Sequence, residues 1–197
     1  KVATEDSGKA VGIGHTTSET TVNDNLTVTG DLTVTGAGGG ITEADTWRLT
    51  TSATGSINPI TTNLERDDTY GNGLLGTGMS ESSGVFTFPS TGYWYVTFAV
   101  TVEVQAEEVD HYSSPRIFVT TDNGSNWNQV TEQYAAMAIG HTAANYISVS
   151  ASKIVDVTDT ANDKVRFGAT VYNGNNKIQG HRSIHKTYMM FIRLAAT

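Results

Sequence analysis

The chain reads as all-β, a sandwich or jelly roll standing on a short β-stalk. Three observations point there. Thr supplies roughly one residue in six, Gly is abundant and Leu is scarce, the balance of a strand-forming chain. Apolar and polar residues alternate with period two in short runs punctuated by turn residues, and no convincing amphipathic helix occurs. Near the start a hexapeptide is repeated in tandem, at 25–30 and 31–36, each copy ending in Leu-Thr-Val-Thr-Gly.

Each hexapeptide is one short strand. Leu26 and Val28, then Leu32 and Val34, fall on one face with threonines on the other, and the Gly with the Asp that follows supplies the turn. Two such strands enclose no core, so their apolar face needs partner chains or many more coils than the chain contains. The segment is therefore expected to be the collar of an oligomer, with these four side chains turned toward its axis. Residues 1–40 are polar and hold no Phe, Trp or Tyr, and Gly38 to Gly40 form a flexible joint. The expected organisation is a stalk and linker over 1–40 and a head over 41–197.

In the head, 45–52 alternates with Trp47 and Leu49 on one side, and 84–89 places Phe86 and Phe88 together. Gly92–Val104 is the strongest strand and is apolar on both faces, Tyr93, Tyr95 and Ala99 opposite Trp94, Val96 and Phe98. Such a strand is covered twice, once by its own core and once by something else, for which a neighbouring subunit is the simplest candidate. Segments 115–121 and 127–134 flank Asp122-Asn123-Gly124, a hairpin turn in which Asn-Gly adopts positive φ at little cost. Segments 145–157, 164–173 and 187–195 complete a set of about eight strands, enough for a sandwich or jelly roll. The looser stretches 57–83, 105–114 and 173–185 are expected to be surface loops, where function concentrates.

Composition excludes several classes. A net charge of −8 and a pI near 5.0 argue against a nucleic-acid binder, which needs clustered Lys and Arg. The absence of cysteine removes disulfides, a thiol nucleophile and any Cys-based zinc site. No apolar run approaches the ~18 residues of a membrane span, and no basic-then-apolar leader opens the chain. The chain begins at Lys1, which suits a fragment or processed product.

Two resemblances rest on particular residues. The stretch 11–36, with Gly12-Ile13-Gly14 and the two Leu-Thr-Val-Thr-Gly units, resembles the stalk sequence ahead of terminal domains in bacteriophage tail fibres and related virion appendages. His15 and a missing Pro depart from that run. Residues from about 41 onward resemble the C1q and tumour-necrosis-factor-like head. The telling stretch is 86–95, Phe-Thr-Phe-Pro-Ser-Thr-Gly-Tyr-Trp-Tyr, similar to that family's F-x-x-P-x-x-G-x-Y-x-F signature, with Gly92 in place. The segments 155–167 and 187–194 are similar to its last strands in type and order. These resemblances imply a C1q/TNF-like jelly-roll head on a trimeric stalk, joined to other virion proteins through its N-terminal part.

Residues 120–127 fit the sialidase Asp-box pattern, S/T-x-D-x-G-x-x-W. Asp boxes stabilise turns and do no catalysis, so Asp122 is expected to bond the amides of its own turn with Trp127 packed over it. The sequon at Asn123-Gly124-Ser125 is explained by the same turn. The acidic groups Glu65, Asp67, Asp68 and Glu107, Glu108, Asp110 are expected to be solvated loop charge, a bound cation or an acid/base pair being the alternatives. His181 and His185 have a spacing that suits metal only on a helix, and no helix is expected there. No nucleophile elbow is present. For binding, Asp110, His111 and Tyr112 in one loop and Asn175, His181 and Arg182 in another have suitable chemistry, a Tyr to stack on a sugar ring and polar groups for its hydroxyls.

The expected function is adhesion without bond breaking. The chain would be a homotrimeric virion protein, a tail-fibre or spike tip, holding a host surface glycan with no catalytic residue, metal or cofactor, no nucleic acid and no membrane insertion. A structural capsid or tail decoration protein without receptor is the alternative, and a surface polysaccharide depolymerase a second.

Overall fold

The computed structural model describes residues 40–71, 73–108, 110–137 and 142–197, apart from the side chains of Asp110 and Met137. The collar residues Leu26, Val28, Leu32 and Val34, with His15 and His141, lie outside the described residues. All regular structure among the described residues is strand. The first five strands are β1 Ala44–Leu49, β2 Ala53–Thr54, β3 Leu64–Arg66, β4 Ser80–Ser82 and β5 Val85–Thr87. Next come β6 Gly92–Val104, β7 Asp110–Thr120, β8 Asn128–Glu132 and β9 Ala135–Met137. The last are β10 Asn145–Val157, β11 Lys164–Val171, β12 Lys177–Ile178 and β13 Tyr188–Ala195.

They form two antiparallel sheets. In the first, β6 is central: β10 pairs along its full length on one edge, and β13 and β12 share the other. Outside these, β1 pairs with β13, β3 with β1, and β2 with β12. The second sheet runs β4, β5, β11, β7, with β8 and β9 both on β7. The chain changes sheet from β3 to β4, β5 to β6, β6 to β7, β9 to β10, β10 to β11 and β11 to β12, which wraps one sheet over the other as a jelly roll.

The core lies between them and is built from the alternation visible in the sequence. Trp94, Val96, Phe98, Val100, Val102 and Val104 of β6 all point inward and are buried. Facing them are Phe86 of β5, Ile117 of β7 and Val165, Phe167 and Ala169 of β11. The Phe86 ring meets Phe167 edge-on at 5.4 Å and Phe191 at 5.3 Å, so one side chain ties both sheets. Gly92, which opens β6 at φ 137°, has no room for a side chain, since a Cβ would press on the Ala195 carbonyl and sit 2.8 Å from Arg193 Nε. That close approach of β6 and β13 is a physical reason for glycine at this place in the signature.

Several expectations on the loops are corrected. Residues 110–114 belong to β7, because Ser113 and Ser114 pair with Val171 and Thr170 of β11 and Asp110 with Met137 of β9. Tertiary pairing outweighs the weak strand propensity of Asp-His-Tyr-Ser-Ser. The stretch 57–83 contains β3 and β4 and buries Ile60 and Met79, so it is part of the sandwich. Segment 173–185 contributes β12.

The other face of β6 carries Tyr93, Tyr95, Thr97, Ala99, Thr101 and Glu103, as the double apolar pattern required. In register beside Tyr95 lie Ile154 of β10 and Ile192 of β13. Tyr93, Ile154, Tyr146 and Leu194 are exposed. Ser and Thr fill the middle, with Tyr95 Oη donating to Ser152 Oγ at 3.1 Å and Thr101 Oγ1 3.0 Å from Ser148 Oγ. Arg48, on the same side of β1, is fully buried beneath β3 and the segment after it. It donates to Glu65 Oε2 at 3.0 Å, Asp68 Oδ1 at 3.1 Å, Thr69 Oγ1 at 2.9 Å and Asp67 Oδ1. Asp67 also bonds His185, so the expectation of a solvated charge at Asp67 is overturned. The sequence placed the acids in a loop, and β1 puts an arginine under them.

Candidate functional site

The most distinctive surface feature is a run of aromatic rings at one end of the second sheet. Ser113, Pro115 and Ile117 of β7 are buried, whereas Tyr112 and Arg116 are half-buried on the alternate, outer side, with Ser114 covered between them. The ladder ends where the Tyr172 N–H donates to the Tyr112 carbonyl at 2.9 Å, which brings the two tyrosines side by side. Tyr112 meets Tyr172 at 5.8 Å and 71°, and Tyr134 at 6.0 Å and 84°. His111 packs edge-on to Tyr172 at 4.5 Å. Tyr134 and Tyr172 are 62% and 52% exposed, so these rings are not core.

Polar groups frame the rings. Directly after Tyr172, Asn173 Nδ2 donates to Glu108 Oε2, and Asn175 Nδ2 donates to Glu108 Oε1 at 2.8 Å. At the other end Glu132 accepts from Ser114 Oγ and Arg116 Nε, each at 2.6 Å, and from Gln129 Nε2 at 3.0 Å. Burial pushes the Glu132 carboxyl up, but these donors and the Tyr134 hydroxyl outweigh it and hold it below the usual range. Its carboxylate in turn raises the Tyr134 phenol.

Of the six predicted binding residues, the fold brings His111, Tyr112 and Asn175 together. Asp110 begins β7, paired with Met137. His181 and Arg182 do not join them. After Asn175, β12 runs along β6 away from the rings, and the His181 N–H then donates to the Leu49 carbonyl at 2.8 Å. Both residues lie in the excursion between β12 and β13 that also carries His185, so the expected single site is split. The reason is the β12 pairing, a two-residue strand too short to be read from sequence. Tyr134 was missed as a member. A β-bulge between Ile117 and Phe118 shifts the hairpin register by one residue and brings Tyr134 onto the face of Tyr112, whereas unbroken counting outward from Asn123-Gly124 would have put it opposite Ser113.

The remaining motifs are structural. Asp122 Oδ1 accepts from Thr120 Oγ1 at 2.6 Å and from the Asn126 N–H at 2.9 Å, and Asn126 Nδ2 donates to Oδ2 at 2.7 Å. Asn123 takes φ 56°, as the turn requires. The Arg166 guanidinium lies 4.3 Å over the Trp127 ring, which anchors the turn to β11. His181 Nδ1 accepts from the Ser183 N–H at 3.0 Å while His185 engages Asp67, so the two imidazoles have separate partners. Among the described residues no three His, Asp or Glu side chains are grouped to hold a metal.

No family model and no curated protein sequence matches the chain. Among solved structures it is similar to the Eiger TNF of S. frugiperda, with a TM-score of 0.57 over 80% of this chain and 95% of that one, at 10% identity. It also superposes on murine APRIL, with a TM-score of 0.49 over 77% of this chain and 98% of that one, again at 10% identity. The likeness to Eiger is one of fold, and it agrees with the strand order: the chain carries a TNF-like jelly roll.

Proposed function

We propose that this chain is the head of a homotrimeric, non-enzymatic virion appendage, a phage fibre or spike tip, that attaches to a host surface by holding glycan. The observation that carries this reading is the group of exposed Tyr134, Tyr172 and His111 around half-buried Tyr112, beside the Asn173 and Asn175 amides. Aromatic rings accept the apolar face of a sugar, and side-chain amides and a carboxylate bond its hydroxyls. Nothing deep is needed, because three equivalent shallow sites on one trimer gain avidity. The exposed Tyr93, Ile154 and Leu194 around Tyr95 supply a face for the neighbouring subunits. The resemblance of residues 11–36 to phage stalks supports a virion location and a link to other virion proteins through that part.

The test is light scattering on the full chain together with binding to a panel of bacterial surface polysaccharides. A trimer that binds, and loses binding with Tyr112→Ala or Tyr172→Ala, is the expected result. A monomer at micromolar concentration overturns the assembly. Binding unchanged by both substitutions overturns the site.

A further inference from the structure

We infer that the ring cluster is a site for a methylated ammonium group carried on the surface glycan, an inference that rests on the glycan reading and names the chemistry it selects. Its first support is the ring geometry. A pyranose stacks best on one flat ring, but here the rings stand nearly at right angles, 84° between Tyr112 and Tyr134 and 71° between Tyr112 and Tyr172. Perpendicular rings about 6 Å apart form the walls of a corner, and a rounded cation fits a corner better than a sugar plane does. Each ring face carries the negative side of its quadrupole, so the walls attract positive charge.

The second support is the charge beside the rings. Glu132 is matched by Arg116, with Nε and Oε1 at 2.6 Å. Glu108 is not matched: Asn173 and Asn175 bond it through neutral amides, and no Lys or Arg pairs with it among the described residues. The amides hold the carboxylate next to Tyr172 without cancelling its charge, in a chain whose net charge is −8. The cluster therefore offers aromatic walls and one uncompensated anion, the combination that favours a cation over a neutral ligand. Methylation decides the kind of cation. With Tyr134 and Tyr172 more than half exposed, a primary ammonium keeps its water, whereas a trimethylammonium is weakly hydrated and gains from lying against rings.

The experiment titrates the full chain with choline chloride and, separately, with its neutral isostere 3,3-dimethylbutan-1-ol, following tyrosine ring resonances by NMR against a sodium chloride control. Choline is expected to saturate and to bind about tenfold better than the isostere, the difference a cation–ring site with one carboxylate provides. Tyr172→Phe should retain the binding, while Tyr172→Ala and Glu108→Gln should each weaken it by about three- to tenfold. Glu108→Gln keeps an acceptor for one amide, so the loop stays in place and the loss reads charge. Equal affinity for choline and the isostere overturns the inference, leaving an apolar patch. No saturable choline binding by a chain that still binds unsubstituted polysaccharide also overturns it and leaves the glycan reading standing. Retention on phosphatidylcholine vesicles but not on choline-substituted polysaccharide overturns the glycan as source. Failure to bind any polysaccharide overturns the parent reading instead.

Discussion

Arg48 and Asp67 form a sealed ion pair outside the hydrophobic core, on the side of the first sheet that faces away from the sandwich. The guanidinium is fully buried and the Asp67 side chain is 2% exposed, while the other acids that reach Arg48, Glu65 and Asp68, are 39% and 70% exposed. Burial alone would raise the Asp67 carboxyl, but the Thr69 N–H, His185 and Arg48 outweigh it and hold it below the usual range. Removing one partner of a buried pair strands the other charge, so Arg48→Ala should lower the unfolding free energy by about 3–5 kcal/mol. Asp68→Asn, which removes an exposed partner, should cost less than about 1 kcal/mol. Urea denaturation of the two variants checks the ranking, and equal losses would remove Asp67 as the central partner.

Gly92→Ala should cost about 2 kcal/mol, because the substitution must hold an L residue at φ 137° and push Ala195 or Arg193 aside. Gly174→Ala is the internal comparison. Its Cβ would meet nothing within 4 Å, and a change within about 0.5 kcal/mol is expected. Thermal unfolding of both variants measures the difference.

The parts of the fold that were legible are those held by local pattern. Gly92–Val104 and Asn145–Val157 have the boundaries their alternation predicted, since each spans many residues with a consistent inward set. The Asp122-Asn123-Gly124 hairpin was legible because its turn chemistry is local. What alternation could not show is pairing between distant short pieces. The strands β2 and β12, two residues each, exist only because they meet each other and β6. Arg48 was silent for a related reason: its partners lie 17 to 21 residues away, beyond any local period. The site was half legible. His111, Tyr112 and Asn175 come together through the β7–β11 ladder, whereas Arg182 followed β12 away from them.

Acid should weaken the Asp122 turn in a defined window. Thr120 Oγ1 and then the Asn126 donors hold the Asp122 carboxyl at about 2, below the ~3.9 of an unfolded chain. A folded value below the unfolded one means the contribution is complete above pH ~4 and is lost as pH falls toward ~2. Asp122→Asn lacks that titration. The gap in urea midpoint between wild type and Asp122→Asn should therefore narrow from pH 5 to pH 2. Asp67 titrates in both proteins and cancels from the comparison. A gap that is constant across this range would show that the carboxylate charge contributes nothing to the turn.

Assembly should depend on the outward face of β6 and not on its inward one. Ile154 and Ile192 flank Tyr95 in register, and Ile154 is 54% exposed in the single chain. An arginine at Ile154 meets water in a monomer but would be an unpaired buried charge in the proposed trimer, which costs several kcal/mol per subunit. Ile154→Arg should therefore give a monomer at micromolar concentration by light scattering, with an unchanged far-UV circular dichroism spectrum, because the core residues Trp94, Val96 and Phe98 point the other way. Asn128→Arg, on exposed β8 of the second sheet, should leave the mass of the assembly unchanged. If Ile154→Arg remains a trimer while Asn128→Arg dissociates, the subunits meet through the second sheet, and the ring cluster would lie at their interface instead of facing the host.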